Sequence, residues 1–106
     1  MTDKEQHELI GKVVSEYQER NRELQMLKIK AQQIGENLVE IGIQLKKGPE
    51  FLIFSGETVS LRFYNDQQFK KDILVDCNAI ADLCNQIRNL MDDLQHLEEQ
   101  KRGLGI

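Results

Sequence analysis

The side chains that could do chemistry are two histidines, two cysteines and a few carboxylates. His7 and His96 lie near different ends of the chain, and neither has a nucleophile beside it in the sequence. Cys77 and Cys84 form no C-x-x-C pair and, together with the histidines, no zinc-type spacing. The adjacent carboxylates Asp92-Asp93 are typical of a solvated helix face rather than of an acid–base pair. We therefore expect no enzyme, no catalytic residue, no metal site and no cofactor.

Length and charge narrow the class of protein further. A chain of 106 residues suits a single domain, and its net charge of −4 makes nucleic acid an unlikely partner by simple electrostatics. No apolar run approaches the roughly 20 residues needed to span a bilayer, and the first residues carry no apolar signal core. Two cysteines seven apart on one helix are about 10 Å from each other, too far for a disulfide. We expect a cytoplasmic protein with reduced thiols and no membrane partner.

The elements that must position these side chains are set by a seven-residue repeat of apolar residues. Apolar residues spaced three and four apart lie along one stripe of a helix, and a stripe this long predicts a coiled-coil seam. In each half, a second row of apolar residues alternates with the main row, and only Arg20 and Asp76 interrupt these second rows. The main rows are Ile10, Tyr17, Leu24, Ala31, Leu38 and Leu45 in the first half and Ile73, Ile80, Ile87 and Leu94 in the second.

Helix 1 is predicted over about residues 3–47. Thr2 and Glu5 form a capping box, in which each side chain bonds to the backbone amide of the other. The helix stops at Lys46-Lys47-Gly48-Pro49, because Gly48 can adopt a left-handed C′ conformation and proline cannot continue a helix. A competing interpretation ends the helix at Gly35 and makes residues 38–45 a strand, since alternate residues there are apolar.

A β-hairpin is predicted over about residues 51–63. Gly56-Glu57 supplies a two-residue turn with glycine first, which sets Ser55 opposite Thr58. Cross-strand partners share a face, so this register makes one apolar face and leaves Phe51 and Ile53 on the other. The residues of that apolar face are Leu52, Phe54, Val59, Leu61 and Phe63.

Helix 2 is predicted over about residues 66–102. Asn65 is a favourable N-cap, and Tyr64 with Phe69 forms a hydrophobic staple. The cations at 101 and 102 followed by Gly103 predict its end. Two long helices joined by a short hairpin fold back antiparallel. The expected fold is mainly α, an antiparallel two-helix coiled-coil hairpin with a β-hairpin between the helices.

Folding back implies a register between the helices. If Gly42 lies level with Cys77, the glycines at 35 and 42 let the second helix approach where the thiols project. The same register sets Arg20 level with Glu98 and Glu99, which predicts an ion pair.

More apolar surface is present than two helices and one hairpin can bury. Cys77, Cys84 and Met91 add a third apolar position to each heptad of helix 2, which suits a bundle of more than two helices. We expect protein partners and a homo- or hetero-oligomer.

The chain resembles a β-type prefoldin subunit in two respects. One is its order of elements, helix, β-hairpin and helix, and the other is the Gly48-Pro49 step before the apolar run 51–54. The resemblance implies assembly through the hairpin, with the helix tips holding unfolded client chains. The assembly residues would be Leu52, Phe54, Val59, Leu61 and Phe63, with Cys84 and Met91 from the third apolar row. The client-contact residues would be Leu9, Ile10, Val13, Val14, Leu97 and Leu104, with Ile106 beside them.

The predicted function is therefore a non-enzymatic coiled-coil protein that assembles with and binds other chains, in particular a prefoldin-like chaperone that holds non-native chains. The alternative is a structural subunit or adaptor of one specific complex. Binding would proceed by burial of apolar surface, without nucleotide or metal.

Overall fold

A computed structural model describes residues 2–64 and 70–106 of the chain. Helix α1 covers Asp3–Lys47, a 3₁₀ turn covers Pro49–Phe51, and helix α2 covers Cys77–Gly103. Between the helices in the sequence lie strands β1 (Leu52–Ser55), β2 (Thr58–Tyr64) and β3 (Lys70–Asp76). The predicted class, mainly helical with strands between two long helices, is confirmed. The pairing of the two helices as a coiled coil stays a prediction.

Helix α1 begins and ends at the expected residues. Thr2 Oγ1 accepts a hydrogen bond from the Glu5 amide at 3.2 Å, and the Thr2 amide donates to Glu5 Oε2 at 3.4 Å. This is the predicted capping box. The helix continues through residues 38–45, so the competing strand interpretation of that segment is wrong.

The end of α1 differs from the expected geometry. Gly48 has a φ of −159°, an extended conformation, rather than the left-handed one predicted for it. The glycine instead leaves room for a side-chain cap, and a larger residue would have to displace flexible side-chain ends. Gln44 Nε2 donates to the Gly48 carbonyl at 2.7 Å, and a Cβ on Gly48 would lie 2.9 Å from that nitrogen.

The predicted hairpin is present with its predicted register. Ser55 pairs with Thr58, and Leu52 pairs with Leu61. Gly56 takes a φ of +58°, which the first central position of this turn requires.

The predicted start of helix 2 is wrong. Residues 70–76 form β3, which pairs antiparallel with β2 and gives the sheet order β1-β2-β3. The helix begins at Cys77, because Asp76 Oδ1 accepts from the amides of Asn78 and Ala79 at 2.9 and 3.4 Å. The expected cap at Asn65 and the staple residue Phe69 lie outside the described residues.

Helix α2 also ends later than expected. Gly105, and not Gly103, has the positive φ, at +78°. The Ile106 amide donates to the Lys101 carbonyl at 2.9 Å and the Gly105 amide to the Arg102 carbonyl at 3.1 Å, which is a Schellman motif.

The chain divides into two compact units, and each has its own core. The helical unit is Met1–Lys28 with Cys84–Ile106, and the sheet unit is Ile29–Leu83. The expectation of a single domain stays a prediction. The buried residues of the helical unit are Val13, Leu24, Leu90 and Leu97.

In the sheet unit, one face of the sheet packs on α1. Leu61 is completely buried at the centre of a cluster that includes Ile41 of the helix. Leu52 and Ile80 pack against this cluster from its margin. The other buried members are Val59, Ile73 and Val75.

Candidate protein-binding surface

The residues proposed for assembly have different environments in the sheet unit. Val59 and Leu61 are buried in the unit's own core, and Leu52 is half-buried. Val59 and Leu61 therefore already pack within the unit's own core, against Ile41 of α1 and Ile73 and Val75 of β3, whereas Leu52 lies at its margin. Phe54, at the end of β1, is 67% exposed. The Phe63 side chain lies outside the described part of the chain.

The face of the sheet turned away from the core carries two exposed apolar side chains, Ile53 and Leu74, among polar ones such as Ser55, Thr58 and Ser60. Ile53 and Leu74 pair with Ser60 from either side, so the three residues form one row across the sheet. Ile53 is 51% exposed, and Leu74 and Phe51 are exposed too. Strand alternation in the sequence had placed Ile53 on this face. Leu74 was missed because its segment was read as helix.

The two outer strands of the sheet differ in protection. Strand β1 has the uncharged sequence Leu-Ile-Phe-Ser, and within residues 2–64 and 70–106 its only paired neighbour is β2. Strand β3 carries two lysines and two aspartates in seven residues. Charged residues on an outer strand discourage pairing with other strands, and an uncharged one lacks that safeguard. We name β1 together with the preceding residue Phe51 the edge surface; its exposed side chains are Phe51, Ile53 and Phe54.

The residues proposed for client contact lie in the helical unit, and they too are partly buried in the core and partly exposed. Val13 and Leu97 are buried, so they belong to its core. The remaining five are exposed or half-buried: Leu9, Ile10, Val14, Leu104 and Ile106. Leu9, Val13 and Leu104 line a groove of about 250 Å³ with Gln100 and Gly103.

Cys84 and Met91, the other proposed assembly residues, are exposed on α2. A larger groove in the same unit, of about 380 Å³, lies between α1 and α2. Exposed Met26 lies on one wall and Leu90 on the other. Its remaining lining residues are Glu23, Leu27, Gln86 and Asn89.

Two expected contacts between the helices are wrong. Arg20 Nη1 lies 3.5 Å from Glu23 Oε1, one turn along its own helix, and among the described residues it makes no ion pair with Glu98 or Glu99. A Cβ on Gly42 would meet no atom within 4 Å, so no element approaches that glycine closely. The same is true of Gly35.

The candidate catalytic groups remain scattered. His96 Nδ1 lies 4.0 Å from Glu99 Oε2, and both side chains are exposed. Cys77 and Cys84 are free thiols. Among the residues that the structure describes, no three of the His, Cys, Asp and Glu side chains are grouped to hold a metal ion. Within the same residues, neither helix is long and apolar enough to cross a membrane.

Compared with known proteins, the chain matches no family, no curated protein and no solved structure. The surfaces described above are therefore the basis for any functional conclusion.

Proposed function

We propose that this chain is a non-enzymatic protein that works by binding other protein chains through its edge surface. The observation that carries the proposal is the outer strand β1. It is uncharged, and its side chains Ile53 and Phe54 are more than half exposed. An added strand would satisfy the free backbone groups of β1, and its side chains would cover the exposed apolar ones.

The test introduces a charge at the edge surface. Ile53→Lys places an ammonium group where a second strand would pack, and Ile53 is exposed, so the fold is retained. Leu74→Lys is the matched control, because Leu74 lies in the same row on the protected strand β3. Light scattering over a concentration series should give a lower mass for Ile53→Lys than for the wild-type chain and the control. Equal masses for all three proteins would refute binding at this edge.

A prefoldin-like chaperone is the more specific form of this proposal. The resemblance in element order supports it, and so does the apolar groove with Leu9 and Leu104 on its walls. Client chains would bind there by burial of apolar side chains, without nucleotide.

Client capture is measured as suppressed aggregation of an unfolding protein. Leu9→Ser with Ile106→Ser removes two exposed apolar side chains, the first of them on the groove wall, whereas Met26→Ser removes a still more exposed apolar side chain elsewhere in the helical unit. We expect the first variant to lose suppression and the second to keep it. Equal suppression by both variants would place client binding elsewhere.

The second candidate is a structural subunit or adaptor. The larger groove favours it, since Met26 and Leu90 offer apolar side chains on its two walls to a bound helix, and a methionine side chain adapts readily to a partner. An adaptor would have one stoichiometric partner and would aggregate without it, whereas a chaperone would hold many unrelated clients. Co-purification at fixed stoichiometry distinguishes the two.

A further inference from the structure

The backbone of β1 determines which of its hydrogen-bonding groups point away from the sheet. Ser55 and Thr58 flank a two-residue turn and are therefore a hydrogen-bonded pair, and the alternation of an antiparallel ladder makes Ile53 and Ser60 the next such pair. Ile53 and Ser55 thus direct their amides and carbonyls at β2. Because the C=O and N–H of one trans peptide unit point in opposite directions, the groups between them point away from β2.

The outward groups are the Leu52 carbonyl, the amide and carbonyl of Phe54, and the Gly56 amide. Among the residues that the structure describes, these groups make no turn, loop or cap hydrogen bond. The Leu52 amide, in contrast, is occupied, because it donates to the Pro49 carbonyl in the 3₁₀ turn. Of the residues of β1, Phe54 alone therefore has both backbone groups free at the outer edge.

This set of free groups is its own complement under a two-fold axis. Two opposed residues of an antiparallel pair can exchange both of their hydrogen bonds, and Phe54 set opposite the second copy's Phe54 does so. Each Gly56 amide then donates to the Leu52 carbonyl of the other copy, so every free group is satisfied. If Leu52 were set opposite Phe54 instead, both Phe54 carbonyls would lack a donor, because the Leu52 amide is occupied.

Side chains and charges favour the same arrangement. The two Phe54 rings, each 67% exposed in the single chain, become a cross-strand aromatic pair on one face of the joined sheets. On the other face, Ile53 lies opposite the second copy's Ser55. Antiparallel pairing sets exposed Glu57 opposite Phe51, whereas parallel pairing in register would set each Glu57 beside the Glu57 of the other copy.

We infer that a second copy of this chain pairs antiparallel with β1, with Phe54 on the two-fold axis, so that two three-stranded sheets join into one. The inference rests on the proposed function, because it names the partner of the edge surface. The contact uses the same residues on both copies, as a two-fold interface must. It closes at a dimer, because pairing covers the β1 edge of both chains.

The first test is cross-linking that depends on the register. In a Cys77→Ser, Cys84→Ser background, Phe54→Cys sets two thiols opposite each other, with Cα atoms about 5.5 Å apart and within disulfide reach. Ser55→Cys, on the same exposed strand, is the matched control, because its counterpart lies two residues further along and about 8 Å away. With oxidised glutathione we expect a covalent dimer from Phe54→Cys and none from Ser55→Cys at the same concentration. Equal cross-linking of the two variants, or of neither, would overturn the proposal.

The second test removes the hydrogen bonds at the axis. Phe54→Pro deletes an amide that points away from β2, so the hairpin keeps its own ladder, and proline is tolerated on an outer strand whose amide faces solvent. Phe54→Ala is the matched control, because it also removes the ring but keeps the amide. By sedimentation equilibrium we expect Phe54→Pro to dimerise at least roughly tenfold more weakly than Phe54→Ala, since two hydrogen bonds are lost. Equal dimerisation of the two variants, with unchanged circular dichroism, would overturn the proposal.

Failure of this pairing is distinguishable from failure of the proposed function. If Ile53→Lys lowers the mass in light scattering but Phe54→Cys forms no covalent dimer, chains bind at the edge surface and only the pairing at Phe54 is refuted. If Ile53→Lys leaves the mass unchanged, binding at the edge surface is refuted and the pairing with it.

Discussion

The same heptad row has different surroundings in the two units. Leu24 in the helical unit is 5% exposed, and Leu38, two heptads later on the same helix, is 43% exposed. In the helical unit, buried leucines of α1 and α2 form the core. In the sheet unit, the sheet packs on the neighbouring row at Ile41 and leaves Leu38 uncovered. A heptad repeat therefore identifies which residues share a stripe of the helix, but not what covers that stripe.

The largest effect is expected from the core of the sheet unit. Leu61→Ala removes the side chain that is fully buried between sheet and helix, and should lower the free energy of unfolding by about 3–5 kcal/mol. Phe54→Ala, on the same strand pair but exposed, should change it by less than about 1 kcal/mol. Urea denaturation of both variants measures the difference. Similar losses would mean that the sheet core does not dominate stability.

The two leucines of the shared row provide the direct comparison. Leu24→Ala should cost about 2–4 kcal/mol, whereas Leu38→Ala should cost about 1 kcal/mol or less, because Leu38 is only partly buried. Denaturation is measured at a dilution where the chain is monomeric, so that association does not contribute to the measured stability. If the two costs are equal, both positions are covered alike in solution.

The smallest effect concerns the boundary between sheet and helix. Asp76→Ala removes the N-cap of α2 and should cost about 1 kcal/mol. Asp82→Ala, an exposed carboxylate inside the same helix, should change stability by less than about 0.5 kcal/mol. Thermal unfolding compares the two variants. A neutral Asp76→Ala would indicate that the helix starts elsewhere.

Local signals predicted much of the fold. The capping box at Thr2 and the turn at Gly56 each act through hydrogen bonds and backbone angles within a few residues, and both are present as predicted. The interruption of the heptad at Asp76 was also a correct signal, since it marks the start of α2. The sequence interpretation treats Asp76 as an interruption within a helix that begins at about residue 66, because Ile73 fits the heptad row of that helix.

Prediction of the candidate site was less complete. Phe54 was correctly identified as an apolar residue of the hairpin and is exposed, but Val59 and Leu61 are covered by the chain itself. Leu74 had no signal of its own while β3 was taken for helix. Exposure depends on which surfaces meet in space, and a one-dimensional pattern does not contain that information.

By itself, the sequence determined the bounds of α1 and the hairpin register, because caps and turns are local. The tertiary structure alone decided that β3 joins the hairpin, that Ile41 packs on the sheet, and that Leu38 and Val39 remain exposed. These features depend on competition between distant segments for the same apolar surface. The folded chain has its lowest free energy when the segment that packs on this surface buries most of it and also has its own backbone hydrogen bonds satisfied.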